Sequence, residues 1–186
     1  MKHNVLLASL ALLLASLACT FFIGGPEYPA TSIPVSTEAA GSLEQQLEAA
    51  QTAAAQSGEL SITITESQLT SLLVEKLVLE SDPLLTEPQV YLRDGQMQIY
   101  GKAIQGQLQA NVRIVVEITL DAEGTPVINV ASVDFGPLPV PDAMKSALGS
   151  MAQEAFTGAL GPAAIGFRLE TITIADGVLT VTGRTK

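Results

Sequence analysis

The sequence predicts an α+β domain in which a curved antiparallel sheet of about six or more strands wraps around one or two amphipathic helices. Three observations carry this prediction. VYLRDGQMQIYGK (residues 90–102) and ITIADGVLTVTGR (residues 172–184) share one plan: alternating apolar side chains around a central Asp-Gly, closed by a glycine and a cation. Residues 104–120 alternate apolar and polar side chains almost throughout. Other segments repeat leucine, methionine or alanine at helical spacing. Strands with one apolar face and helices with one apolar stripe bury those surfaces only against a partner layer.

The amino terminus is read apart from the fold. Lys2 and His3 lead into an apolar run over residues 5–18, the pattern of a secretory signal, and Cys19, the only cysteine, follows directly. This stretch resembles the signal of bacterial lipoproteins, and the resemblance implies acylation of Cys19 and an acyl anchor in a membrane. Two further readings stay open, an uncleaved membrane helix of ~20 residues and a plain cleaved signal. All three place the remaining chain outside the cytoplasm, on the outer face of the cell membrane or in the periplasm. The expected organisation is a signal at 1–18, a lipid-anchored flexible tether at 19–41, a peripheral or stalk helix at 42–58, and one α+β domain at 59–186.

The tether expectation rests on TFFIGGPEYPATSIPVSTEAAG, in which prolines remove backbone donors and stiffen the chain. In the next segment, Ser42 and Gln45 have capping-box spacing, and Leu43, Leu47, Ala50 and Ala54 trace one helical face before Ser57-Gly58. ELSITIT follows as a strand. Thr65 and Gln68 form a second capping-box spacing, ahead of a helix striped by Leu69, Leu73 and Leu77 with Leu72 alongside.

In the first hairpin Asp94-Gly95 fits a type I′ turn, which pairs Arg93 with Gln96, Leu92 with Met97 and Val90 with Ile99. Val90, Leu92, Met97 and Ile99 then share an inward face, while Tyr91, Gln98 and Tyr100 face water. The long segment places Val112, Ile114, Val116 and Ile118 in one inward phase. Seventeen residues at ~3.3 Å each would reach ~55 Å, so the segment is broken or strongly bent, with Gly106 the place for a kink. A turn in DAEGTP returns the chain antiparallel as VINVASVDFG. After a proline-rich loop, Pro141 starts a helix with Met144, Leu148, Met151 and Ala155 on its stripe. The second hairpin, turning at Asp176-Gly177, pairs Ile174 with Leu179 and Ile172 with Val181. A slide of eighty-two residues superposes helix and hairpin together, residues 66–102 on 148–184. Internal duplication and chance likeness of two common units both fit that match.

Composition excludes several functions. Without residues 1–18 the chain keeps eight basic and nineteen acidic side chains, a formal charge of −11. Its cations are scattered, so nucleic acid is not an expected partner. The sole histidine leaves with the signal, removing the usual base for serine or cysteine nucleophiles and the commonest zinc ligand. Glu80 and Asp82 suit a solvated turn better than a hydrolytic acid pair. No catalytic residue, metal or cofactor is expected.

Shape then carries the functional expectation. The helix at 141–160 is rich in alanine and glycine, while the inward sheet phase is aliphatic. Close packing fills the space between them or leaves an elongated apolar groove lined by the inward residues named above. From Ser61 onward, ITITESQLTSLL, VYLRDGQMQIYGK and GFRLETITIADGVLTVTGR resemble YpmS-like and LmeA-like extracytoplasmic proteins. That resemblance implies a curved sheet around a long helix, as in tubular lipid-binding domains, with lipid or another apolar small molecule as partner and no catalytic motif. Phe135, Leu138 and Val140 in FGPLPVP are the expected membrane contacts at the groove mouth. The alternative is a non-enzymatic envelope scaffold or regulator with a solid core that binds a protein partner.

Overall fold

The computed structural model describes residues 21–78, 85–105, 108–137, 146, 149–150, 153 and 167–185. Among them are eight strands and two long helices: β1 (Phe21–Phe22), α1 (Thr37–Ser57), β2 (Glu59–Thr65), α2 (Glu66–Val78), β3 (Thr86–Arg93), β4 (Gln96–Gln105), β5 (Leu108–Leu120), β6 (Pro126–Asp134), β7 (Phe167–Ala175) and β8 (Val178–Thr185). The fold is α+β with a strongly curled, half-barrel sheet. One group runs β1-β5-β4-β3 with β6 also on β5, and the other runs β2-β8-β7. All pairings are antiparallel except the short β1–β5 pair.

Both hairpins adopt the register expected of their turns. Leu92 pairs with Met97 and Val90 with Ile99, while Ile174 pairs with Leu179 and Ile172 with Val181. Asp94, Gly95, Asp176 and Gly177 all have φ between 51° and 79°, as a type I′ turn requires. The glycine near the end of each hairpin also has a shared role. Gly101 lies opposite a bulge between Thr86 and Gln89, and Gly183 opposite one between Leu169 and Thr171. A Cβ on Gly183 would stand 2.7 Å from the Arg168 carbonyl oxygen, and one on Gly101 would strike the Leu85 side chain. Each bulge bends its strand where the partner offers no side chain, which helps the sheet curl.

The long alternating segment is two strands. Gln105 pairs with Leu108, and β4 and β5 run antiparallel away from that point, so the chain reverses where a kink was expected. The Thr65 capping box forms as predicted: Gln68 Oε1 accepts from the Thr65 N–H, and the Gln68 N–H donates to Thr65 Oγ1. The first helix, by contrast, starts five residues before the predicted Ser42. Ser36 caps it by accepting from the Ala39 N–H, and Ser42 turns inward to bond with Gln68. Its predicted stripe holds, with Leu43, Leu47 and Ala54 buried.

α2 covers the open edge of β3 with polar groups. Glu66 Oε1 accepts from the Leu92 N–H at 2.7 Å and Thr70 Oγ1 from the Val90 N–H at 3.0 Å. Residues four apart on a helix thereby meet alternate residues of a strand, and two edge donors that would otherwise sit buried and unpaired are satisfied.

The tether expectation is corrected from residue 21 onward. Residues 21–24 lie along β5, with the Ile23 N–H bonded to Gln109 and the Asn111 N–H to Gly24. Residues 26–36 then cross the outer face of β5, β4 and β3 as a strap. Pro26, Pro29 and Pro34 deny it a regular ladder, so side chains take up its carbonyls instead. Asn111 Nδ2 donates to Pro26, Tyr91 Oη to Thr31 and Ser67 Oγ to Pro34. Gln89 grips Ile33 through both its N–H and its carbonyl.

That strap also overturns the wet outer face. Tyr91 and Tyr100 are only 4% and 7% exposed. Their rings meet edge to face with centroids 5.5 Å apart, and Tyr28 of the strap lies 5.8 Å from Tyr100.

Candidate functional site

The inner face of the curled sheet is built by strand alternation. Val90 and Leu92 stand opposite Ile99 and Met97 across the first hairpin, and Val112, Ile114, Val116 and Ile118 continue the layer along β5. Ile172, Ile174, Leu179 and Val181 supply the second hairpin's share. The structure brings these twelve predicted residues into one apolar cluster with Leu43, Leu47 and Ala54 of α1 and Leu60, Ile62 and Ile64 of β2. Leu92 and Leu179 are fully buried there, whereas Ile99 and Ile172 are only partly covered. The other four, Met144, Leu148, Met151 and Ala155, lie outside the described residues.

The cluster has a half-covered margin. Ile128, Val130 and Val133 of β6, Ala103 of β4 and Phe167 of β7 pack against the core yet keep part of their surface open. One described residue of the 141–160 segment comes beside this margin: Ser146, Gly149, Ser150 and Gln153 are helical, and a Cβ on Gly149 would lie 3.8 Å from Val130 Cγ2. The predicted groove would run along this margin. Its described sheet-side lining is hydrocarbon, so that wall offers an apolar guest the hydrophobic effect.

Phe135, expected at a membrane-facing loop, is instead buried in the core cluster. Its companions Leu138 and Val140 lie outside the described residues, as do Cys19 and the acid pair Glu80 and Asp82.

Depressions of mixed polar and apolar lining lie elsewhere on the described surface. One of about 550 Å³ separates the tips of the two hairpins and is lined by Arg93, Asp94, Gly95, Ile174, Ala175 and Asp176. The Arg93 guanidinium pairs with Glu66 beside it. A second, about 390 Å³, lies between the β5–β6 turn and the start of β7. Among the described residues no three His, Cys, Asp or Glu side chains converge as metal ligands, and no helix is long and apolar enough to cross a membrane.

Two features were missed in the sequence reading. The strap carried one signal: two tyrosines in the outward phase of a hairpin call for a covering layer. The other is a set of exposed apolar side chains, Phe21, Phe22, Ile104 and Leu108, at the tip of β1, β4 and β5. Ile104 and Leu108 were hidden inside what looked like one continuous strand.

Compared with known proteins, the chain matches no family model and no curated relative.

Proposed function

We propose that this chain is a membrane-tethered extracytoplasmic lipid-binding or lipid-transfer protein that holds acyl chains in the apolar groove between curved sheet and helix. One observation carries the reading. The inner face of a curled sheet is aliphatic along β3, β4, β5, β7 and β8, and its margin at β6 stays half open, with Gly149 beside Val130. Hydrocarbon of that extent, with no titratable group in its described sheet wall, suits an acyl chain, and the proposed role is non-enzymatic. Acylation at Cys19 would hold the domain at the outer face of the membrane.

Native mass spectrometry of the full chain purified from membranes in mild detergent tests this reading. The expected result is a population carrying lipid-sized adducts that survive dilution and disappear on organic extraction. Protein that emerges empty, and takes up no phospholipid on incubation with vesicles, would overturn it.

A second reading is favoured by the complete burial of Leu92 and Leu179 against protein neighbours alone. A core already satisfied needs no guest, and the chain would then be an anchored envelope scaffold or regulator for a protein partner. The same measurement separates the two, since a scaffold carries no lipid.

A further inference from the structure

Among the described residues, four of the six exposed large apolar side chains lie together at one end of β5, the others being Val35 and Val127. Phe21 is 59% exposed, Phe22 60%, Ile104 49% and Leu108 41%. Register brings them together across three neighbouring strands: Phe21 pairs with Leu108, Phe22 with Gln109, and Gln109 with Ile104 on its other side. Leu108 continues the inward phase of Ala110 and Val112, whereas Ile104 continues the outward phase of Tyr100 and Lys102. Apolar side chains therefore project from both faces of the sheet's end. Packing against the domain's own core would account for one face only.

Two further observations fix the occupant. Residues 96–116, which span β4, the tip and most of β5, contain no acidic side chain, and neither do residues 20–26, in a chain with nineteen acids. The opposite end of β5 continues into Glu117, Asp121 and Glu123. The apolar run at residues 5–18 and Cys19 also lead directly into Phe21. Two residues of chain reach at most ~7 Å, and β1 is seated on β5, so no slack separates the tip from whatever holds Cys19.

We propose that this tip docks into the lipid bilayer, with Phe21, Phe22, Ile104 and Leu108 entering the interface between headgroups and acyl chains. The proposal rests on the anchoring part of the reading above. It gives the domain a fixed posture, with β5 rising from the bilayer and the acidic end outermost. Two phenylalanines flanked by aliphatic residues suit a bilayer interface, where each buried apolar side chain adds to attachment. The strand segments that form the tip carry no acid of their own, and Glu87, the acid beside Lys102, is ion-paired to it, which limits repulsion from anionic headgroups.

The chain contains no tryptophan, so a single introduced one reports its own depth. Full-length Ile104→Trp, Phe22→Trp and Val127→Trp would each be reconstituted into phosphatidylethanolamine–phosphatidylglycerol vesicles with brominated acyl chains. Val127 is also exposed but pairs with Thr119, eleven residues and roughly 35 Å along β5 from Leu108. The expected result is emission that shifts to shorter wavelength and is quenched several-fold more at positions 104 and 22 than at 127. Protein that floats with the vesicles while all three positions are quenched alike, or none is, would overturn the docked tip and leave the anchor standing. Protein that does not float at all would overturn both.

Discussion

The two faces of β3, β4 and β5 carry comparable burial by different means. The inner face is covered by regular elements, helices and strands whose own apolar stripes face it. The outer face is covered by an irregular strap of eleven residues, 26–36, held mainly through its carbonyl groups and one tyrosine contact. The first cover is aliphatic and shared by many elements, so its removal is a global event. The second is polar at its attachments and local, so it can loosen while the sheet beneath remains. Burial alone does not distinguish these two kinds of cover; the chemistry of attachment does.

The sharpest test of that difference is the cost of truncating one residue on the inner face. Leu92 is 0% exposed and belongs to the central cluster. Leu92→Ala is expected to lower unfolding stability by ~2–5 kcal/mol, because it loses transfer free energy and leaves a cavity. Urea melts followed by far-ultraviolet circular dichroism would measure it. A cost below about 1 kcal/mol would show that the inner face packs no more tightly than a surface, contrary to the comparison.

The inner face could be read from the sequence because its information is periodic. Asp94-Gly95 and Asp176-Gly177 set the turns, the turns set the pairings, and alternation then decides which side chains point inward. The strap has no period. Its position depends on single long-range bonds, such as Gln89 to Ile33 and Ser71 to Ser36, and a proline-rich segment looks the same in a sequence whether it is free or strapped down. For the same reason the helix start moved from Ser42 to Thr37: Ser36 became a cap because the strap delivers it to Ser71 on α2. The break between Gln105 and Leu108 was visible only as an excess of strand length, and the apolar tip beside it went unrecognised. Of the candidate site, the sheet wall was legible residue by residue. Of the positions expected at its mouth, Phe135 was not, since it turns inward to the core.

A smaller effect is expected on the outer face. Tyr91 Oη donates to the Thr31 carbonyl at 2.8 Å, and its ring packs against Tyr100. Tyr91→Phe keeps the ring and deletes the hydrogen bond, an expected loss of ~1 kcal/mol or roughly fivefold faster amide exchange. That acceleration should be confined to the strap, with Ile33 as reporter, and β4 and β5 amides should be unchanged. Equal acceleration throughout would mean that strap and sheet open as one unit, and the distinction between the two covers would fail.

The smallest and most selective perturbation is alkaline pH. The Tyr28 hydroxyl is buried without a hydrogen-bond partner among the described residues, and its pKa is pushed up to about 12, first by that burial and then by the nearby Glu87 and Tyr91. In the unfolded chain it would titrate near its ordinary value of 10.0. The folded state therefore holds the proton more tightly, so Tyr28's contribution is complete below pH 10 and drains away as pH rises towards 12. Tyr91 is shifted in the same direction, chiefly by its own burial, and reinforces the effect. Because the chain has no tryptophan, its near-ultraviolet dichroism reports largely on tyrosine. That signal should fade in this window while the far-ultraviolet sheet signal persists, and Tyr28→Phe should retain more of the strap at the same pH. Simultaneous loss of both signals would place the aromatic layer inside the cooperative core and make the strap an integral wall of the barrel.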